Sequence, residues 1–251
     1  MSQDNSQEIV IGKNPVLEAL RAGRDINKIL IAEGALKGQT GQIMQLAKEA
    51  GVIVQIAPRK KLDQMYDGNH QGIVAQVAAY KYAEIDDLFK AAKEKGEDPF
   101  FILLDEIEDP HNLGSIIRTA DAVGAHGIII PKRRAVGLTA TVAKASTGAI
   151  EYVPVVRVTN MARTIEDLKE QGVWIIGTDA SGKTDYRKMD VTLPIGIVIG
   201  SEGKGISRLV REKCDFLVRL PMVGKVTSLN ASVAGSLLMF EVLRKRQPLE
   251  E

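Results

Sequence analysis

An α/β fold built on a parallel sheet is what this sequence predicts, and three observations carry the prediction. Apolar residues switch repeatedly between helical and strand periods along the chain. Several candidate strands, FFILL at 100–104 and GIVIG at 196–200 among them, are apolar without alternation, the pattern of strands buried on both faces. At 251 residues and 45% hydrophobic content, the chain has material for one large core or two modest ones.

Taken in order, the first helix is predicted over Asn14–Arg21, with Asn14 at the cap position, Pro15 at the first helical position, and Val16, Leu17 and Leu20 on one face. Lys28–Ala32 follows as a strand. Gly41–Ala50 is an amphipathic helix presenting Ile43, Met44, Leu46 and Ala47, and Gly51 stops it. Val52–Ile56 reads as a strand, Arg59–Met65 as a short helix and Gly72–Ala79 as a strand, completing a small α/β unit over residues 1–80. Residues 81–99 turn charged, hold a helical stretch around Ile85–Lys95, and read as a linker between domains. The pattern restarts over 100–251. Strands are expected at Phe100–Leu104, Gly127–Ile130, Val153–Val156, Trp174–Gly177, Gly196–Gly200 and Phe216–Arg219. Between and after them come helices at Leu113–Val123, Ala140–Ser146, Met161–Gln171, Ser207–Lys213 and about Asn230–Arg246.

A net charge of +1 excludes nucleic-acid binding by bulk charge, so any such site is a local patch. The single cysteine, Cys214, excludes internal disulfides and cysteine-based zinc sites. The polar start and the lack of any apolar run near ~18 residues point to a soluble, cytoplasmic protein. The histidines His70, His111 and His126 have no metal-ligand spacing, and Trp174 reads as core packing.

Three segments carry chemistry: NLGSIIRTADAVG from Asn112, IGSEGKGIS from Ile199, and LPMVGKVTSLNASVAG from Leu220. Each lies at or just after the carboxyl end of a predicted parallel strand, where ligands bind in such sheets. The glycines of 200–205 fit neither phosphate-loop pattern, and Glu202 opposes phosphate, so a ligand with a cationic centre fits better. An ordinary strand-to-helix turn is the plain alternative. Asn230 or Ser228 can cap the last helix, but one cap does not account for both ahead of Ala231, Ser232, Ala234 and Gly235. Arg118 sits in an otherwise small and apolar helix, suited to clamping phosphate or carboxylate, or else simply a surface arginine.

The ordered set Asn112 and Arg118, then Glu202, then Ser228 and Asn230 resembles the three motifs of the SpoU (TrmH-type) branch of the SPOUT RNA methyltransferases, over about Phe100–Arg246. The N-terminal unit, ending in Gly68-Asn69-His70-Gln71-Gly72, resembles the L30e-like RNA-binding domain often appended in that family. The layout is closest to bacterial enzymes that 2′-O-methylate a guanosine of 23S ribosomal RNA. A tRNA guanosine methyltransferase and a non-catalytic RNA-binding protein of the same fold are the alternatives. A nicotinamide oxidoreductase lacks both its glycine fingerprint and its acidic ribose partner.

The resemblance implies a deep C-terminal trefoil knot, a homodimer, and S-adenosylmethionine held by Gly200, Leu220 and Leu229, with Thr178, Met222 and Ser228 beside them. It implies no metal, because the sulfonium is already an activated leaving group. Asn112, Arg118, Glu202, Ser228 and Asn230 become the catalytic set. Arg118 is a poor base with a pKa above about 12, so it is expected to stay cationic, grip an adjacent RNA phosphate and stabilise the developing alkoxide. Basic residues at Lys204, Arg208, Arg211, Lys213, Arg219 and Lys225, and at Lys132-Arg133-Arg134, supply candidate phosphate contacts.

Overall fold

A computed structural model of the chain describes residues 7–24, 26–35, 38–78 and 80–247, so Ala79 at the end of the expected strand Gly72–Ala79, and the first six residues of the polar start, lie outside the described residues. In chain order the elements are β1 (Gln7–Ile11), α1 (Lys13–Arg21), β2 (Ile26–Ala32), α2 (Gln39–Glu49), β3 (Ile53–Ala57), α3 (Arg59–Met65), β4 (Ile73–Ala78), α4 (Ile85–Lys95), β5 (Phe100–Asp105) and α5 (Pro110–Ala122). There follow β6 (Gly127–Pro131), α6 (Ala140–Ala145), β7 (Val155–Val158), α7 (Met161–Glu170), β8 (Trp174–Thr178), β9 (Thr184–Asp185), β10 (Ile195–Gly200), α8 (Arg208–Lys213), β11 (Phe216–Arg219) and α9 (Ala231–Arg246).

The chain divides into two compact units, Met1–Lys81 with Leu138–Tyr152, and Tyr82–Gly137 with Val153–Glu251. In the first, a four-stranded sheet runs β1-β4-β2-β3, with β1 and β2 antiparallel to β4 and β2 parallel to β3. Val16, Leu17 and Ile43 of α1 and α2 pack with Ile29 and Ile31 on one face, and Leu62 of α3 with Leu30 and Val74 on the other. Residues 138–152 join this unit through buried polar chemistry as well as packing. Arg24 pairs with Glu151 at 3.1 Å, both side chains under 10% exposed. The same guanidinium lies 3.2 Å from the Tyr80 ring centroid. Tyr152 donates to Glu18 at 2.5 Å.

The second unit holds a seven-stranded sheet, β7-β6-β5-β10-β8-β11-β9, in which every neighbouring pair is parallel. Alternation along its strands sends Phe101, Leu103, Ile175 and Val198 to one face, where Leu88, Ile165, Leu168 and Val210 of α4, α7 and α8 cover them. The opposite face is covered by α5 and α9, which pack against each other and onto the sheet. The stretch expected as a linker therefore carries a helix whose Leu88 and Ala92 are buried in this core. Its hydrophobic stripe outweighs its charged composition.

Trp174, expected as core, is 43% exposed and stacks on Phe216, also exposed, at 5.6 Å between ring centroids. These residues begin β8 and β11, at the amino edge of the sheet. His70 and His126 lie outside helices and strands and are buried. His126 accepts a hydrogen bond from the Phe100 amide at 3.0 Å and meets Glu97 at 3.1 Å. Among the described residues no helix is long and apolar enough to cross a membrane.

Candidate functional site

Because all strands of the second sheet run the same way, β5, β8, β10 and β11 end at one edge, in Asp105, Thr178, Gly200 and Arg219. Beyond that edge opens a cavity of about 760 Å³ walled by three stretches of chain, 178–180, 199–205 and 218–231, with Ala234 and Leu238 of α9 as its floor. All six residues named for the cofactor, Thr178, Gly200, Leu220, Met222, Ser228 and Leu229, line it.

Small residues make this wall possible. A Cβ at Gly200 would lie 2.1 Å from the Gly205 carbonyl carbon and 2.3 Å from the Ile206 nitrogen, both backbone atoms. The chain here turns back on itself through Glu202-Gly203-Lys204, closed by Gly205 N donating to Ser201 O at 2.9 Å and Ser201 N to Gly205 O at 3.2 Å. Gly203 and Gly205 supply left-handed φ of +81° and +68°. Gly235 plays a similar part on α9, since a Cβ there would meet Ile199 Cδ1 at 2.6 Å.

The turn is pinned from below by Asp105, a buried carboxylate that accepts from Ser207 N at 2.6 Å. Sequence reasoning missed this residue. An acid closing the fully apolar strand FFILL was the available signal, because an unpaired carboxylate is not left there. Asp179, on the cavity wall, was missed as well. Burial pushes its pKa up, but hydrogen bonds from Ser181 and the charge of Arg211 outweigh that and hold it below the usual value. Thr178 is fixed by donating to Val198 O at 3.1 Å.

The predicted polar residues converge at the mouth. Asn112 lies in the first turn of α5, whose start is set by Asp109 accepting from His111 N and by Pro110. Asn112 donates to Glu202 at 2.9 Å and accepts from Asn230 at 2.9 Å. Asn230 also donates to the same Glu202 oxygen, which further accepts from Ala231 N at 3.4 Å. With its own oxygen, Asn230 caps α9, accepting from Ser232 N at 3.0 Å and Val233 N at 3.3 Å. Residues 112, 202 and 230 thus form one hydrogen-bonded cluster.

Two members of the expected set stand outside it. Ser228 faces the cavity without a side-chain hydrogen bond among the described residues. Arg118 is exposed and makes no ion pair or hydrogen bond among them. Six residues beyond Asn112, it lies about 120° around α5 from it, while Thr119, on the Asn112 side, meets Ser236 of α9 at 3.0 Å. No group of three or more His, Cys, Asp or Glu able to hold a metal occurs among the described residues.

Comparison with known proteins gives two family matches, the SpoU rRNA Methylase family over residues 99–240 and RNA 2′-O ribose methyltransferase substrate binding over residues 9–83. The TrmH-family protein YacO of Bacillus subtilis (strain 168) is 66% identical over 251 residues, covering 100% of both chains. The SpoU methyltransferase AviRb of Streptomyces viridochromogenes, solved in complex with AdoMet, is similar with a TM-score of 0.81 and 28% identity, over 96% of this chain and 90% of that one. An AdoMet-bound rRNA methyltransferase of Sinorhizobium meliloti matches with a TM-score of 0.78 and 26% identity, over 97% of this chain and 88% of that one.

Proposed function

This chain belongs to the SpoU rRNA methylase family, and from that premise we propose that it transfers the methyl group of S-adenosylmethionine to a ribose 2′-hydroxyl, that of a guanosine in 23S ribosomal RNA. The observation that carries the reading is the cluster of Asn112, Glu202 and Asn230 at the mouth of the cavity. Two asparagines 118 positions apart in sequence, brought onto the one carboxylate of Glu202, serve a single locus.

The cavity suits the cofactor. Its ~760 Å³ lies within the roughly 300–1,000 Å³ of small-molecule sites. Gly200, Leu220 and Leu229 offer backbone groups, Thr178, Met222 and Ser228 border them, and Glu202 is a negative charge compatible with a sulfonium. When bound, S-adenosylmethionine supplies an electrophilic methyl group on a positively charged sulfur. The chain's own part is alignment and charge. Glu202 fixes Asn112 and the N-terminus of α9, so that the cavity mouth and the first turn of α5 keep one geometry. Ser228 and Asn230 orient the ribose and cofactor. Arg118, exposed and without a partner among the described residues, takes an RNA phosphate and stabilises the developing alkoxide.

The first unit serves as an L30e-like RNA-binding domain, supported by its mixed sheet covered by helices on both faces and by the substrate-binding match over residues 9–83. A deep trefoil knot accords with β10 lying between β5 and β8 while β11, later in the chain, pairs beyond β8 and α9 returns to pack on β10 and α5. A homodimer is supported by the exposed apolar stripe Val233, Leu237 and Phe240 on α9, beside the cavity, and a cytoplasmic location follows from the ribosomal RNA substrate proposed. Ribosomal RNA is favoured because an rRNA methyltransferase matches both units together. The test is mapping of 2′-O-methylated positions in ribosomal and transfer RNA from cells with and without the protein. Loss of one guanosine methylation in 23S RNA is expected; loss of one in tRNA instead would move the substrate, and no loss anywhere would refute the activity.

A further inference from the structure

Two non-glycine residues just past the ends of neighbouring strands hold left-handed backbone, Glu106 after β5 with φ 59° and Arg134 after β6 with φ 55°. Such conformations are uncommon outside glycine and persist where surrounding structure imposes them. Here the two side chains meet, Arg134 Nη1 donating to Glu106 Oε1 at 2.8 Å, and Val136 N donates to Ile107 O at 3.0 Å to clip the loops together. The arginine side chain is nonetheless 75% exposed. An exposed single ion pair adds little to stability, so stability does not account for two adjacent residues in this conformation. Lys132 and Arg133, next in the same loop, are exposed and form no ion pair among the described residues.

The place of this loop matters. Asp105, paired in register with Gly200, is the residue that pins the cavity turn, and Glu106 is the next along. The segment 106–109 leads directly into α5, which bears Asn112 and Arg118. Since β6 is the second strand from β10, residues 132–134 lie along the same sheet edge about 10 Å from the cavity rim, taking ~4.8 Å per strand.

We propose that Lys132–Arg134 is a phosphate-binding element for the RNA strand flanking the acceptor ribose, and that Glu106 is an internal stand-in for phosphate, holding Arg134 in place until the RNA displaces it. The proposal rests on the RNA methyltransferase reading above. A guanidinium fork matches two oxygens of a phosphodiester, whereas Glu106 satisfies it through one bond. Glu106 therefore competes with RNA for Arg134, and substitutions at the two ends of the pair have opposite consequences.

The experiment measures binding of the full chain to a labelled, mixed-sequence single-stranded RNA over a salt series, with thermal midpoints in parallel. Arg134→Gln should weaken binding and reduce the slope of log K against log salt by about 0.7, the value for one phosphate contact on a single strand. Arg133→Gln should do the same. Glu106→Gln should tighten binding. Glu106→Ala replaces it should the amide lower the melting temperature. Weakening by both Glu106 and Arg134 variants, or no change from either, overturns the proposal. Wild-type protein is assayed alongside for methyl transfer from labelled S-adenosylmethionine to bulk RNA from cells lacking it. Absence of transfer there refutes the enzymatic reading, whereas transfer combined with same-sign binding changes refutes the Glu106–Arg134 switch alone.

Discussion

Gly200→Ala tests the architecture of the cavity at the atom level. The added methyl would stand 2.1 Å from the Gly205 carbonyl carbon, 2.4 Å from its oxygen and 2.3 Å from the Ile206 nitrogen, about 1.3 Å short of ordinary contact. Every obstructing atom is backbone, so no side chain can swing aside. The turn must retreat, and in doing so it gives up the Ser201–Gly205 pair of hydrogen bonds and strains the Asp105 to Ser207 N bond. At about 1 kcal/mol for each neutral bond and ~1.5–3 for the one to a carboxylate, the loss is about 3.5–5 kcal/mol. At roughly 2–4 °C per kcal/mol for units of this size, the second unit should melt about 7–20 °C earlier. Since the same turn walls the cavity, S-adenosylmethionine affinity measured by calorimetry should fall with it. A variant with unchanged melting and a dissociation constant within about twofold of wild type, under 0.5 kcal/mol, would show that the wall is not built as described.

Arg118→Ala should abolish methyl transfer while leaving cofactor affinity and melting temperature near wild type, because the side chain has no partner among the described residues; substantial turnover would remove it from the catalytic set. His126 is held neutral, its pKa lowered first by burial and then by Lys95, against the pull of Glu97. With the folded value below the unfolded value of about 6.5, stability is full above that pH, falls as pH drops towards the folded pKa, and levels off below it. His126→Asn keeps an acceptor for the Phe100 amide and should flatten this dependence in denaturant titrations carried from neutral pH downward through the unfolded value; an unchanged slope would place its source elsewhere. Phe240→Glu, on the exposed stripe of α9, should convert a dimer to a monomer in sedimentation experiments, and a monomeric wild type would dismiss the dimer outright.

Much of the second unit was legible because its signals are local. Continuous apolar runs identified β5, β6, β8, β10 and β11, periodicity located α5 to within three residues, and cap chemistry located the start of α9. What escaped depends on distant partners. β1 is five residues with a polar start and is a strand because β4 pairs with it. β9 is two residues attached to the edge of β11. Residues 138–152 carry no composition change, and their place with the first unit depends on Arg24, Glu18 and packing far away in sequence. The site divides in the same way. The glycines and polar residues of the three segments were visible as misfits within their own elements, and Asp105 could have been as the acid closing an apolar strand, while Asp179 and Glu106 resemble ordinary loop acids until their partners are known.

Glu202 raises a separable question, whether it acts through hydrogen bonds or through charge. Its oxygen accepts from Asn112, Asn230 and the Ala231 amide, and a glutamine carbonyl could accept from the same donors. Geometry alone does not explain the acid. The N-terminus of α9, however, carries the positive end of a 16-residue helix beside the cavity. That potential disfavours a sulfonium, and a carboxylate on the first helical amide offsets it. Glu202→Gln should therefore preserve melting temperature within a few degrees yet weaken S-adenosylmethionine more than S-adenosylhomocysteine, whose sulfur is neutral and whose other charges are the same. Solvent at this exposed residue limits the difference to roughly 0.5–1 kcal/mol, about two- to fivefold. Equal weakening of both ligands would assign Glu202 a hydrogen-bonding role only, and a large fall in melting temperature would make it chiefly a brace for Asn112 and α9.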